Sequence, residues 1–498
     1  MHTNLPYQYD VAIIGAGFAG VGLAIRLKMN GRHNFIIFER ADTVGGTWRD
    51  NTYPGCGCDV PSLLYSYSFD LNPKWSRAFS KQPEILEYLT QCKDKHEVEQ
   101  HIRYQTEIIE TVFKEEQGFW TLKDRDGNVF TARTIVSAIG PLNVPNIPKI
   151  RGLDDFQGVQ FHSSKWRHDL DLKGKHVGVI GTGASAVQFV PEVAKEAKSL
   201  AVFQRTAPWI SPKHDWAVSK FAQTLFKYIP FYQLFWRTLL YWVIEFRGLA
   251  FFGNKILHSL IHSQATRHIK NSIANPELRK AVTPTYKIGC KRILLSDEYY
   301  PALTQDHVSL VTNPIETIQS NGVRTKDGKE HPIDVLIFGT GFLVADFIRA
   351  LQVFGRNGRS LFGEWQKTYA KAYYGITASG FPNLLFLVGP HTGLGHSSII
   401  HMIESQINYI LDYLDLLDKE GKDVYLDVKA EVEQAFFEEH DKALQDTVWA
   451  SGCQSWYQNK DGKNTTLWKG LTCSYRWETK RVNPLDYEVV KVGEPYKI

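Results

Sequence analysis

A β-branched run, VAIIG from Val11, breaks into Gly15-Ala16-Gly17-Phe18-Ala19-Gly20 and resumes with Val21, Leu23, Ala24 and Leu27 at helical spacing. That pattern reads as strand, tight turn and helix. Gly15 permits the turn, Gly17 lets a pyrophosphate approach the backbone, and Gly20 lets the helix lie on the strand. The helix N-terminus then points free amides at the anion. The next strand-like run, NFIIFER, ends at Glu39, 24 residues after Gly15, where a carboxylate accepts hydrogen bonds from an adenosine ribose. A carboxylate there also repels a 2′-phosphate, so this site suits FAD or NAD better than NADP.

The pattern recurs. KHVGVI leads into Gly181-Thr182-Gly183-Ala184-Ser185-Ala186, and a helical pattern follows from Val187. The next strand, SLAVFQR, ends at Arg205, again 24 residues after the first glycine, with the charge reversed. A guanidinium makes charge-assisted bonds to a 2′-phosphate, and Thr206 beside it adds a donor, so the second unit reads as an NADP site. One acid-marked and one base-marked site on one chain imply a flavin reduced by NADPH, since hydride transfer needs donor and acceptor in contact.

The fold expected is α/β, with two Rossmann-like dinucleotide-binding domains of the glutathione-reductase type and a helical insertion. TIVSAIG, ending at Gly140, and DVLIFGTGF, around Gly339 and Gly341, read as buried strands at the crossings between domains. On that reading residues 1–145 form the first part of the FAD domain. Residues 146–330 form the NADP domain with an insertion at about 209–286, and residues 331–498 complete the FAD domain and add a C-terminal segment. A length of 498 residues with 43% hydrophobic residues is enough for three cores.

Lys+Arg 57 against Asp+Glu 53 is too even for electrostatic capture of nucleic acid. The six cysteines contain no C-x-x-C pair and are expected to be reduced thiols, which sets aside a disulfide-reducing flavoprotein. No signal-peptide pattern precedes Val11, so the expected location is cytoplasmic. No zinc-ligand spacing, Walker A loop, G-x-S-x-G elbow or H-E-x-x-H pair occurs, and no metal site is expected.

FQGVQFHSSKW, from Phe156 to Trp166, fits the fingerprint F-x-G-x-x-x-H-x-x-x-W, and by it the chain resembles the class B flavin monooxygenases, within them the Baeyer–Villiger monooxygenases. GGTWRDNTYPGCGCDVPSLLYSYSF, FQRTAPW and YKIGCKRILLSDEYY carry the same resemblance, which covers most of the chain. Where the family usually has proline or aspartate after the fingerprint tryptophan, this chain has Arg167. The resemblance implies that Phe18, Thr47, Trp48, Asp59, Tyr65 and Ile108 line the flavin. It gives Arg205 and Thr206 to the ribose phosphate and Lys291 and Arg292 to the nicotinamide side. Arg292 and Asp59 are the catalytic pair it implies: the arginine stabilises a negatively charged flavin peroxide and the aspartate tunes its position. His162 is given an organising role in the linker rather than proton transfer.

The implied reaction consumes NADPH and O2 and converts a ketone to an ester or lactone, with oxygenation of sulfur or nitrogen as the alternative on the same architecture. FAQTLFKYIPFYQLFWRTLLYWVIEFRGLAFF has helical spacing and is apolar nearly all round, so it is expected to be covered by something. One reading packs it on the NADP unit as a roof over the substrate cavity. The other lays it on a membrane surface, with Lys220, Lys227, Arg237 and Arg247 toward headgroups. Both favour a hydrophobic carbonyl substrate. Near the C-terminus, CQSWYQNKDGKNTTLWKG resembles a segment that covers the nicotinamide, with Trp456 as a contact; a surface hairpin is the other reading. The sequence names no oligomeric state.

Overall fold

The two strand–turn–helix motifs seed two separate sheets in a computed structural model that describes residues 6–344, 351–459 and 461–493. In the first sheet Tyr9–Ile14 lies between Phe35–Phe38 and Val129–Ser137, parallel to both. Ile108–Lys114 and Phe119–Asp124 extend it as antiparallel neighbours. Leu384–Phe386 returns from far along the chain to pair in parallel with Val129–Ser137, and Gln352–Phe354 pairs with Ile108–Lys114. The helix Phe18–Met29 is buried over nine of its twelve residues. It packs against the long helix Ile399–Glu420.

The second sheet is wholly parallel, in the order Val308–Val311, Ser199–Phe203, His176–Ile180, Val335–Phe338, Val159–His162. Val335–Phe338 is therefore a central strand of this sheet. The sequence reading placed it beyond residue 330, in the returning flavin part; the boundary moves past Phe338. The reason is that a buried strand ending in glycine looks the same whether it leaves a sheet or belongs to it.

The insertion consists of the helices Lys220–Tyr228, Pro230–Gly248, Lys255–Ser272 and Pro276–Val282. The later part packs on the NADP-type unit, where Trp209 meets His262 and Lys255–Ser272 lies on the short strand at Ile210. Pro230–Gly248 instead seats on the flavin half. Gln233 donates to the Asn72 carbonyl at 2.7 Å, and Arg237 to Leu63 O and to the carbonyl and hydroxyl of Ser66. Arg237 thus faces inward, against the reading that aimed it at headgroups, because buried carbonyls supply the acceptors a guanidinium needs. Phe231, Phe235, Trp236, Trp242 and Phe246 of this helix stand exposed on its open side, not covered by the protein as one reading expected.

Cys290 and Cys453 form a disulfide, with Cα atoms 6.2 Å apart. The expectation of uniformly reduced thiols fails for this pair, since two cysteines 163 residues apart carry no spacing signal. The bond ties the GCKR segment to the C-terminal segment. Among the described residues, no helix is long and apolar enough to cross a membrane.

Candidate active site

The two glycine-rich turns have the same build. Gly15 has φ +107° and Gly181 φ +109°, and the amide of each donates to the last residue of the following strand, Phe38 and Phe203. A Cβ on Gly15 would lie 2.7 Å from the Ala138 carbonyl oxygen, and one on Gly181 would lie 2.4 Å from that of Gly339. Both turns therefore demand glycine on two counts, a left-handed backbone and a close neighbour. Gly17 and Gly183 open their helices without a side-chain cap, so the first-turn amides are free for an anion. A Cβ on Gly20 would sit 1.9 Å from the Gly15 oxygen, whereas one on Gly17 would meet nothing nearer than the Gly46 Cα at 3.8 Å. The first contact is internal packing. The second leaves room beside the backbone, which is what a bound pyrophosphate requires.

Glu39 ends the second strand with its carboxylate at the turn, accepting from the Ala16 amide at 2.8 Å and the Ala41 amide at 3.0 Å. Arg49 pairs with the same carboxylate at 3.0 Å. A carboxylate has about four acceptor positions, so Glu39 retains capacity for a ribose. The Gly45 amide donates to Ala16 O at 3.0 Å, drawing the loop before Thr47–Asp50 against the turn. Thr47 is exposed at the start of that short helix, and Trp48 donates to Tyr65 Oη at 2.9 Å. Phe18 stacks edge-on to Tyr65 with ring centroids 5.3 Å apart. Ile108 is buried in the core of the first sheet.

In the second unit Thr182 donates to Thr206 O at 3.1 Å, Ala184 and Ser185 begin the helix Ala184–Glu196, and Ala186 is buried under it. Arg205 and Thr206 are exposed at the end of the next strand. Among the described residues Arg205 has no carboxylate partner; burial, and then the Arg205 charge, holds the Lys291 ammonium below its ordinary value. Lys291 lies over the Tyr286 ring at 4.8 Å. Two cations facing one another without an acid are relieved by an anion, as a 2′-phosphate would do.

The loop Tyr53 to Asp59 joins the two units. Tyr53 donates to Gln188 Oε1 at 3.0 Å, and a Cβ on Gly55 would lie 2.5 Å from the Gln188 carbonyl oxygen. Gln188 also donates to Asp59 Oδ1 at 3.4 Å, and Lys213 Nζ stands 3.6 Å from the same oxygen. Asp59 is thus held by Lys213 and Gln188, with no ion pair to Arg292 among the described residues. Sequence reasoning missed both partners because neither lies in a motif; they meet Asp59 only through the fold. Arg292 is half-buried and makes no hydrogen bond or ion pair among the described residues. Its positive charge is felt by Cys58, Tyr65 and Tyr457. Burial raises the Cys58 and Tyr457 groups to about 12 each, so both are neutral neighbours at ordinary pH.

Tyr457 is fully buried with its hydroxyl unpartnered, while Trp456 is 45% exposed. The sequence reading singled out Trp456 as the contact; Tyr457, which it did not single out, is the one that turns inward. His162 bonds Ser164 Oγ at 2.8 Å through Nδ1 and the Gly341 carbonyl at 3.0 Å through Nε2, which ties the linker to the end of Val335–Phe338. Burial pushes its pKa down. A separate trio, His391, His440 and Asp441, brings donor atoms within 4.8 Å of one another. Asp441 is paired with Lys463, whose ammonium already brings a positive charge to the trio.

The family described as pyridine nucleotide-disulphide oxidoreductase matches residues 12–223. A Baeyer–Villiger monooxygenase of Pseudomonas aeruginosa is 47% identical over 96% of this chain and 91% of its own. This chain belongs to the Baeyer–Villiger monooxygenase family. A steroid monooxygenase solved in its oxidized form bound to NADP aligns with TM-score 0.86 and 29% identity, covering 97% of this chain and 99% of that one. OTEMO, solved with FAD and NADP, aligns with TM-score 0.86 and 26% identity over 97% of this chain and 100% of its own. This chain is an FAD-dependent, NADPH-consuming oxidoreductase, and the free first-turn amides and the space beside Gly17 fit a bound pyrophosphate.

Proposed function

We propose that this enzyme oxidises a hydrophobic ketone to an ester or lactone at the junction of the loop Tyr53 to Asp59, the Lys291–Arg292 segment and the C-terminal segment around Tyr457. Bound FAD, reduced by NADPH, supplies the oxygen-activating chemistry. The first turn with Glu39, Thr47 and Trp48 would hold the flavin nucleotide, and the second turn with Arg205, Thr206 and Lys291 the NADP. The observation that carries the reading is Arg292: a half-buried guanidinium with no carboxylate partner, among neutral tyrosines and a neutral thiol. Negative charge develops on oxygen as a carbonyl is attacked, and a fixed cation in a poorly hydrated site stabilises that charge without reorganising. Asp59 and Lys213 neutralise each other nearby, which keeps the aspartate from competing for Arg292. Tyr457 and the disulfide close the site from the C-terminal side and help exclude water.

The proposal extends to a cytoplasmic enzyme of three segments, with the NADP part between the two flavin parts. Its insertion touches the membrane surface, a contact supported by the exposed aromatic side of Pro230–Gly248. The test is product identity under 18O2. With NADPH and a series of linear, cyclic and aryl ketones, esters carrying one labelled oxygen are expected, with yield rising with substrate hydrophobicity. Labelled sulfoxide or amine oxide from competing substrates, with no ester from any ketone, would assign the site to heteroatom oxygenation instead.

A further inference from the structure

The helix Pro230–Gly248 is inverted relative to an ordinary surface helix. Its buried stripe is polar: Gln233, Arg237, Tyr241 and Glu245 recur every four residues, and Arg237 and Glu245 are 4% and 1% exposed. Tyr241 shares a hydrogen bond with Thr472 at 3.1 Å. Glu245 accepts from Thr472 at 2.7 Å and from the Cys473 amide at 3.2 Å, with His396 3.2 Å away. Each of these four side chains finds a protein partner, so the helix is firmly seated this way round. Its open face carries Phe231, Phe235, Leu239, Trp242 and Phe246, with Phe231 82% exposed. Leu234 and Trp242 share the rim of a groove of about 790 Å³ with Trp477, itself exposed. A row of exposed aromatic side chains along one helix face marks a contact surface.

Charge selects the partner. Between Trp216 and Pro276 the only acidic residue is Glu245, which is buried, whereas Lys220, Lys227, Arg247, Lys255, Arg267 and Lys270 are all exposed. A second copy laid on this face would set these cations against their own duplicates. A surface of anionic headgroups complements them. Phenylalanine and tryptophan are the residues that settle at the headgroup–acyl boundary, with basic side chains reaching to the phosphates.

We propose that Pro230–Gly248 lies in the plane of an anionic phospholipid bilayer, its aromatic face sunk to the acyl boundary and the flanking lysines and arginines at the phosphate level. This rests on the membrane contact in the proposed function and names the partner. The polar stripe stays on the protein, so docking needs no rearrangement of the helix.

The experiment is co-sedimentation of the purified full-length holoenzyme with vesicles of phosphatidylcholine alone and of phosphatidylcholine mixed with phosphatidylglycerol, at low and high ionic strength. Binding to the mixed vesicles, weakened by salt, is expected. The triple variant Phe231→Ser/Trp242→Ser/Phe246→Ser should lower the bound fraction at least about tenfold while leaving NADPH oxidation with a water-soluble ketone unchanged without vesicles. Lys220→Glu/Lys227→Glu/Lys255→Glu should remove the preference for phosphatidylglycerol. Equal binding to both vesicle types overturns the anionic partner while sparing the lipid contact; binding to neither overturns both. A vesicle-independent dimer in light scattering that the aromatic triple variant converts to monomer overturns the proposal in favour of self-association.

Discussion

Arg292→Ala is expected to bleach its flavin with NADPH at close to the wild-type rate and yet to form ester at less than about one-hundredth of it. The expectation follows from where Arg292 stands. Among the described residues it belongs to no ion-pair network, so removing it strands no buried carboxylate there, and the fold should bear the change. What is lost is, among the described residues, the one cation whose charge reaches Tyr65, Cys58 and Tyr457 together. Anaerobic absorbance reports the reductive half and product chromatography the oxygenating half. Full ester yield from the variant would remove Arg292 from the chemistry, and loss of both halves would make it a nucleotide-binding residue instead.

Gly20→Ala is expected to cost about 3 kcal/mol or more of stability and to leave the purified protein with little flavin. The added methyl would stand 1.9 Å from the Gly15 carbonyl oxygen, a backbone atom that cannot rotate away, so the helix Phe18–Met29 must lift from its strand. Lifting it displaces the amides that receive the pyrophosphate. Gly17→Ala is the informative contrast, because the same methyl there meets no protein atom closer than 3.8 Å and the backbone has an ordinary negative φ. It should melt with wild-type apoprotein but bind FAD poorly, since the space it fills belongs to the ligand. Thermal melts and the ratio of flavin to protein absorbance separate the two effects. Full flavin content in Gly17→Ala would contradict the role given to that space.

Both nucleotide units were legible in the chain because their determinants are local. A left-handed glycine, a helix start and a charged residue ending the next strand all fall within a few dozen residues, and each is dictated by backbone geometry or by one charge. Partners brought together by the fold were not legible. Lys213 and Gln188 reach Asp59 from separate segments, Cys290 finds Cys453 across 163 residues, and Val335–Phe338 chooses between two sheets for which its sequence is equally suited. The insertion shows a different failure. Apolar residues nearly all round the helix hid the informative signal, which was the polar set at Gln233, Arg237, Tyr241 and Glu245. Its spacing of four marks the face that meets the protein.

Everything functional depends on two nucleotide pockets marked by opposite charges, Glu39 at one and Arg205 with Lys291 at the other. The ratio of kcat/KM for NADPH to that for NADH, measured on yellow, FAD-loaded enzyme, tests this most directly. Charge-assisted bonds from two unpaired cations to the 2′-phosphate predict a ratio of at least about one hundred, falling toward one in Arg205→Ala/Lys291→Ala. A wild-type enzyme that oxidises NADH as readily as NADPH would contradict the account.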